Sequence, residues 1–149
     1  MSYRRMPLEV EPAVCRALVD RAEETLSPPP SARPERSPNG ECYRLSGHEE
    51  VRALLEPHLA ATFPGPWIYI DLLTLYPDGV VHRHTDGHKG WVRTHVALQT
   101  NDECWNYAGG IWSQLPLGGV SELDTREPHG SVNWGTTPRI HVIFDVARP

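Results

Sequence analysis

The chain has 149 residues, 39% of them apolar and 22% charged, with a net charge of −5 and an isoelectric point near 5.9. That is the composition of one soluble globular domain, long enough to bury a core without covalent staples. It carries no basic footprint for nucleic acid or an anionic membrane.

Three cysteines, Cys15, Cys42 and Cys104, lie far apart with no C-x-x-C pairing. The pattern argues against a cysteine zinc site or a dithiol motif and points to a reduced, cytoplasmic compartment. Neither a leader peptide nor a run of about 18 apolar residues is visible, so no membrane span is expected.

Two helices are expected before residue 66. In EPAVCRALVDRAEETL (11–26), Val14, Ala17, Leu18 and Ala22 recur at helical spacing, with Pro12 tolerated in the first turn. In SGHEEVRALLEPHLAATF (46–63), Ser46 and Glu49 form a capping box. Val51, Leu54, Leu55 and Leu59 make one apolar stripe, which Pro57 is expected to kink or split. The proline-rich stretch 27–40 between them reads as a loop.

From Trp67 onward the texture changes to short apolar runs separated by turn signals. Strands are expected in WIYIDLLTLY, VVHRH, WVRTHVALQT, CWNY, IWSQL, VSELD, HGSVNW and RIHVIFDV, with turns that include Pro77-Asp78-Gly79 and Gly109-Gly110. The expected fold is mainly β. It is a double-stranded β-helix of jelly-roll, cupin-like type, with two N-terminal helices packed on one outer face. Within this single domain, 1–66 is expected to be the helical part and 67–149 the jelly-roll core.

Alternation sorts the side chains of two strands. Trp91, Arg93 and His95 share one face against Val92, Thr94, Val96 and Leu98, and Arg139 and His141 oppose Ile140, Val142 and Phe144. If the polar faces converge on the HRHTD strand, they line an interior and the helices cover the apolar side.

The segment Val81 to His95 holds four of the eight histidines. His84 and Asp86 read as H-x-D at a strand end, and His129 opens a later strand. Two histidines and one carboxylate occupy one face of an octahedron, and the three positions left open suit a non-haem Fe(II) that takes a cosubstrate and dioxygen together. Arg139, ten residues after His129, supplies a guanidinium fork for the far carboxylate of a chelating dicarboxylate. His82 shares the face of His84 but sits one pleat back, and His88 falls in the GHKG turn, where solvent exposure is expected.

The motifs HRHTD, RTH and PHGSVNWGTTPRIHVIFDV resemble those of the aspartyl/asparaginyl β-hydroxylase family of Fe(II)- and 2-oxoglutarate-dependent oxygenases, over roughly Trp67 to Val146. The resemblance implies that His84 and His129 are iron ligands and that Arg139 grips the distal carboxylate of 2-oxoglutarate. It also implies that Arg93 and His95 touch the cosubstrate near its chelating end. Some members of that family lack a carboxylate ligand. Here Asp86 stands in the place usual for the wider superfamily, and a complete triad is expected.

Asn133, Ser131 and His141 lie on faces that parity assigns to the interior, as second contacts to ligands or cosubstrate. Trp91 is a candidate for the substrate mouth, and Thr74 for an extra hydroxyl on the distal carboxylate. The expected cofactors are Fe(II), 2-oxoglutarate and dioxygen. The expected activity is hydroxylation of an amino-acid side chain, free, carrier-bound or within a peptide, including the Asp/Asn type, with release of succinate and carbon dioxide. The expected partner is thus a small amino acid or peptide, with no nucleic acid and no membrane.

Two other readings use the same residues. A cupin-like isomerase or hydrolase employing a divalent metal as Lewis acid accounts for the His/Asp cluster but has no need of Arg139. A non-catalytic module that binds a small dicarboxylate needs no open metal position.

Overall fold

The computed structural model describes residues 3–32, 34–37, 40–46, 48–63, 65–87 and 90–147. In chain order the elements are β1 (Tyr3–Glu9), α1 (Pro12–Thr25), β2 (Glu35–Ser37), β3 (Gly40–Leu45), α2 (His48–Leu59), β4 (Trp67–His84), β5 (Trp91–Gln99), β6 (Cys104–Ala108), β7 (Ile111–Ser113), β8 (Gly119–Leu123), β9 (His129–Asn133) and β10 (Arg139–Ala147). The strands form one antiparallel, curled sheet in the order β1-β8-β5-β10-β4-β9-β6-β7, with β3 also on β4 and β2 on β3.

Alternation on β5 and β10 decides which side the helices cover. Val96 and Leu98 of β5, and Ile140, Val142 and Phe144 of β10, pack with Ile70 and Leu72 of β4 against Cys15, Leu18 and Ala22 of α1 and Val51, Leu55 and Leu59 of α2. Full burial of each large apolar side chain contributes roughly 1.5–3 kcal/mol, so this layer is the main source of stability. Phe144 stacks on Trp67 at 4.7 Å between ring centroids and meets Phe63 edge-on at 5.3 Å.

Helix α1 begins with Pro12 in its first turn, where a missing N–H costs nothing. Helix α2 runs through Pro57 to Leu59 rather than breaking there. The proline falls in the last turn, and the bonds from Ala60 N to Glu56 O and from Phe63 N to Leu59 O carry the chain past it. The capping box is not made. Ser46 N donates to Leu72 O just past the end of β3, and among the described residues its buried hydroxyl has no partner.

The first 66 residues contribute strands to the sheet as well as the two helices. Tyr3, Arg4 and Arg5 of β1 pair with Leu123, Glu122 and Ser121 of β8, and β3 pairs with β4. Both are easy to miss by pattern. Pro7 is tolerated on β1 because that strand lies at an edge of the sheet, and Cys42 interrupts β3 with a left-handed φ of 52°.

The expected turn at Pro77-Asp78-Gly79 is instead a bulge inside β4, an 18-residue strand. Against β3, the register passes from Tyr43↔Leu75 directly to Glu41↔Val80, and Asp78 has φ 64°. A side chain at Gly79 would meet Cys42 O at 2.5 Å and Tyr76 O at 2.6 Å, so only glycine fits this bend. On one side of it β4 pairs with β10 through Leu75, and on the other with β9 from Val80. The bend therefore delivers His84 to the strand that carries His129.

Candidate metal centre and its cavity

His84 and His129 are register partners across β4 and β9. Between Val81↔Ser131 and His84↔His129, β4 has one residue more than β9, a second bulge. Gly130 accommodates it, since a Cβ there would lie 2.7 Å from Val81 O and 3.2 Å from Arg83 N.

The two imidazoles stand 4.3 Å apart between centroids. His84 Nδ1 bonds to His82 O at 2.6 Å and His129 Nδ1 to Glu127 O at 2.9 Å. A carbonyl only accepts, so each Nδ1 carries the proton and donates. Each Nε2 is then the atom available to a metal.

Asp86 follows the end of β4 and is tied by its backbone N–H to Thr125 O at 2.8 Å. Its Oδ1 lies 3.5 Å from His84 Nε2 and its Oδ2 lies 3.3 Å from His129 Nε2. One donor atom from each of the three residues falls within 4.8 Å of the others. Two donors about 2.1 Å from one ion and at right angles are about 3 Å apart, so two imidazole nitrogens and one carboxylate oxygen drawn in from within 4.8 Å have the composition of one face of an octahedral metal.

The carboxylate is held down to about 2, first by hydrogen bonding with the His129 imidazole. Burial opposes this, and the charge of Arg93 adds to it.

Arg93 is committed to carboxylates. Its Nε and Nη2 donate to the two oxygens of Asp145 at 2.9 and 3.0 Å, and its Nη1 donates to Asp86 Oδ2 at 3.1 Å. Burial opposes its charge, but the hydrogen bonds and attraction of Asp145, with Asp86 behind it, raise its pKa above the ordinary arginine value. Its guanidinium also stands 5.3 Å over the ring of Tyr69.

Arg139 is the deepest charge of the interior, 1% exposed. Nη1 donates to Asn106 Oδ1, while Nε and Nη2 have no partner among the described residues. Burial lowers its pKa to about 10, which leaves it a cation at neutral pH without a carboxylate. His141 is equally buried and bonds His95 between Nδ1 atoms at 3.2 Å, with His141 Nε2 unpartnered among the described residues. Burial first, then the charge of Arg139, push both imidazoles well below the ordinary histidine value, so both are neutral.

Thr74 does not join this group. It pairs with Ile140, whereas Arg139 pairs with Leu75 and His141 with Leu73. Residues directly paired across a sheet point to the same side, so the Thr74 hydroxyl faces the helices with Ile140 and turns away from Arg139.

Ser131, His95 and Trp91 line a cavity of about 310 Å³ together with the metal-site residues, Arg93 and Asp145. Tyr3, Tyr43, Tyr69 and Leu45 line the same cavity. Asn133 is buried elsewhere and braces the turn before β10, donating to Leu75 O and Thr137 O. The side chain of His82 is exposed, Trp112 and Trp134 are exposed and Trp67 is core, and His88 lies outside the described residues.

Sequence reasoning did not single out Asn106 or Asp145. Both are polar residues facing an interior, a signal that needs the strand pairing before it can be read.

Residues 50–149 match the aspartyl/asparaginyl beta-hydroxylase family. No curated protein matches the chain by sequence. A viral collagen prolyl hydroxylase from Paramecium bursaria Chlorella virus-1, solved as its 2-oxoglutarate complex, is 13% identical over 99% of this chain and 97% of its own, with a TM-score of 0.63.

HygX from Streptomyces hygroscopicus, solved with nickel, 2-oxoglutarate and hygromycin B, is 12% identical over 97% of this chain and 82% of its own, with a TM-score of 0.62. A cupin domain of an XRE-family transcriptional regulator from Enterobacter cloacae is 13% identical over 73% and 100%, with a TM-score of 0.53. At these identities the likeness is one of fold.

Proposed function

Because the chain belongs to the aspartyl/asparaginyl β-hydroxylase family, whose members are iron- and 2-oxoglutarate-dependent hydroxylases, we propose that it hydroxylates an amino-acid side chain, free, carrier-bound or peptidyl. The fold that accompanies this reading is a double-stranded β-helix, supported by the bend that carries β4 from β10 to β9. The observation that carries the proposal is Arg139. A buried guanidinium with two unused donor atoms has the character of a receptor for an anion, since an unmatched buried charge is costly until it is paired.

In this reading His84, Asp86 and His129 hold the iron, and Arg139 takes the distal carboxylate of 2-oxoglutarate. When bound, the iron, 2-oxoglutarate and dioxygen supply oxidative decarboxylation to succinate and carbon dioxide, coupled to hydroxylation of the substrate. The residues of the chain contribute placement. The carbonyls of His82 and Glu127 hold the imidazoles in the tautomer that offers Nε2, and Asn106 steadies the guanidinium of Arg139.

His95, neutral and bonded to His141, lines the same cavity as the metal residues and is suited to bonding a cosubstrate oxygen. The aromatic side chains Tyr3, Tyr43, Tyr69 and Trp91 in the cavity lining shield the interior from water and receive the substrate.

The test is an anaerobic titration of Fe(II) and 2-oxoglutarate into the purified protein, followed by the visible charge-transfer band of a chelated oxoacid. The band is expected, with loss on His84→Ala or His129→Ala. Replacement of Arg139 separates the readings, because a Lewis-acid enzyme of cupin type would keep its activity and a 2-oxoglutarate enzyme would need far more cosubstrate. Failure of folded, metal-loaded protein to give the band would turn the assignment to that alternative.

A further inference from the structure

Resting on that metal-site reading, we propose that Arg93 and Asp145 are positioning residues that preset the Asp86 carboxylate for the metal. Asp86 lies beyond the end of β4, where sheet pairing no longer fixes its backbone, and one hydrogen bond to Thr125 O anchors it. A loop carboxylate with only that tether would lose rotamer freedom on taking up a metal. Its side chain is instead held by Arg93 Nη1.

The sheet fixes the holder. Arg93 and Asp145 are direct cross-strand partners on β5 and β10, and Tyr69 pairs with Asp145 from the other side on β4. Both carboxylate oxygens of Asp145 are bonded by Arg93, through Nε and Nη2. That engagement fixes the guanidinium plane and leaves Nη1 as the edge turned toward Asp86. The Asp145 side chain is 3% exposed, so little water competes for it. A lysine cannot make this connection, because one ammonium does not reproduce a planar fork spanning two carboxylates.

The arrangement gives Arg93 a different task from contact with the cosubstrate, which the family resemblance implies. Its three bonded nitrogens act within the protein, and their effect on the metal passes through Asp86.

The experiment is an equilibrium titration of Co(II) into the metal-free full chain without 2-oxoglutarate, read by the visible d–d absorption. It compares wild type with Asp145→Asn, Arg93→Lys, Asp86→Ala and the double variant Asp145→Asn/Asp86→Ala, with circular dichroism as the folding control. Asp145→Asn and Arg93→Lys are each expected to weaken Co(II) binding by about 10- to 100-fold, the range typical of groups that orient metal ligands. The double variant is expected to bind as Asp86→Ala does, because Asp145 acts only through Asp86.

Should Asp145→Asn fail to fold, Arg93→Lys, which retains the charge beside Asp145, carries the comparison. Unchanged Co(II) affinity in the folded variants, with 2-oxoglutarate affinity reduced, would overturn the inference and return Arg93 to the cosubstrate. A wild-type chain that binds no Co(II), or an Asp86→Ala chain that binds it as wild type does, would remove the metal-site reading and the inference with it.

Discussion

His84 and His129 face each other as register partners on β4 and β9, with ring centroids 4.3 Å apart and each Nδ1 bonded to the carbonyl two residues before it. The pair is made by backbone geometry. A bulge advances β4 by one residue, and the glycine after His129 has no side chain to hold the strands apart.

Gly130→Ala tests that dependence. A Cβ 2.7 Å from Val81 O and 3.3 Å from Arg83 Cα meets backbone, which cannot swing aside as a side chain can. The variant is expected to lose about 1–3 kcal/mol of stability in urea denaturation and to bind Co(II) more weakly, because the strands that carry the two histidines must separate. Wild-type metal affinity in this variant would show that the histidine spacing is set elsewhere.

Arg139→Met separates a stabilising arginine from a receptor. The guanidinium is buried with two nitrogens that have no partner among the described residues, so a similar-sized apolar side chain is expected to leave the melting temperature unchanged or raise it. The increase in melting temperature that 2-oxoglutarate and Mn(II) give the wild type should shrink to that of Mn(II) alone. A variant destabilised by several kcal/mol would argue for a structural role.

Thr74→Val is expected to be neutral or stabilising by up to about 1 kcal/mol, since it removes a buried hydroxyl without a partner among the described residues. It should leave 2-oxoglutarate affinity unaltered, because Thr74 shares the side of the sheet occupied by Ile140. A marked loss of cosubstrate affinity would contradict the register.

The acid limb of stability reports on Asp86. Its pKa lies at about 2 in the folded chain against an ordinary 3.8, and a depressed carboxyl favours folding wherever it is ionised. That contribution, on the order of 2 kcal/mol, is fully present above about pH 4 and is lost as the pH falls toward 2. Measured on metal-free protein, the stability difference between wild type and Asp86→Asn should therefore shrink by that amount across this window. A difference flat from pH 4 to pH 2 would mean that Asp86 is not held as an ion.

The sequence by itself determined the chemistry available and most local structure. The stripes of the two helices and the alternation on β5 and β10 are properties of spacing, and spacing of 3.6 or 2 residues fixes a face wherever an element stays regular, whereas His84, Asp86, His129 and Arg139 are read from residue type and family resemblance. Where regularity fails, only the tertiary structure decided. Strand β4 is apolar on both faces around Leu72 to Leu75, so alternation could not tell which way Thr74 points, and the bulge at Gly79 resets the phase before His84.

Strands β1 and β3 were hidden by a proline and a left-handed cysteine. The bonding of Arg93 to Asp145 and Asp86 joins residues 52 and 7 positions apart. Such partners follow from strand order and register, and these are set by how all the buried faces are satisfied together rather than by any one segment.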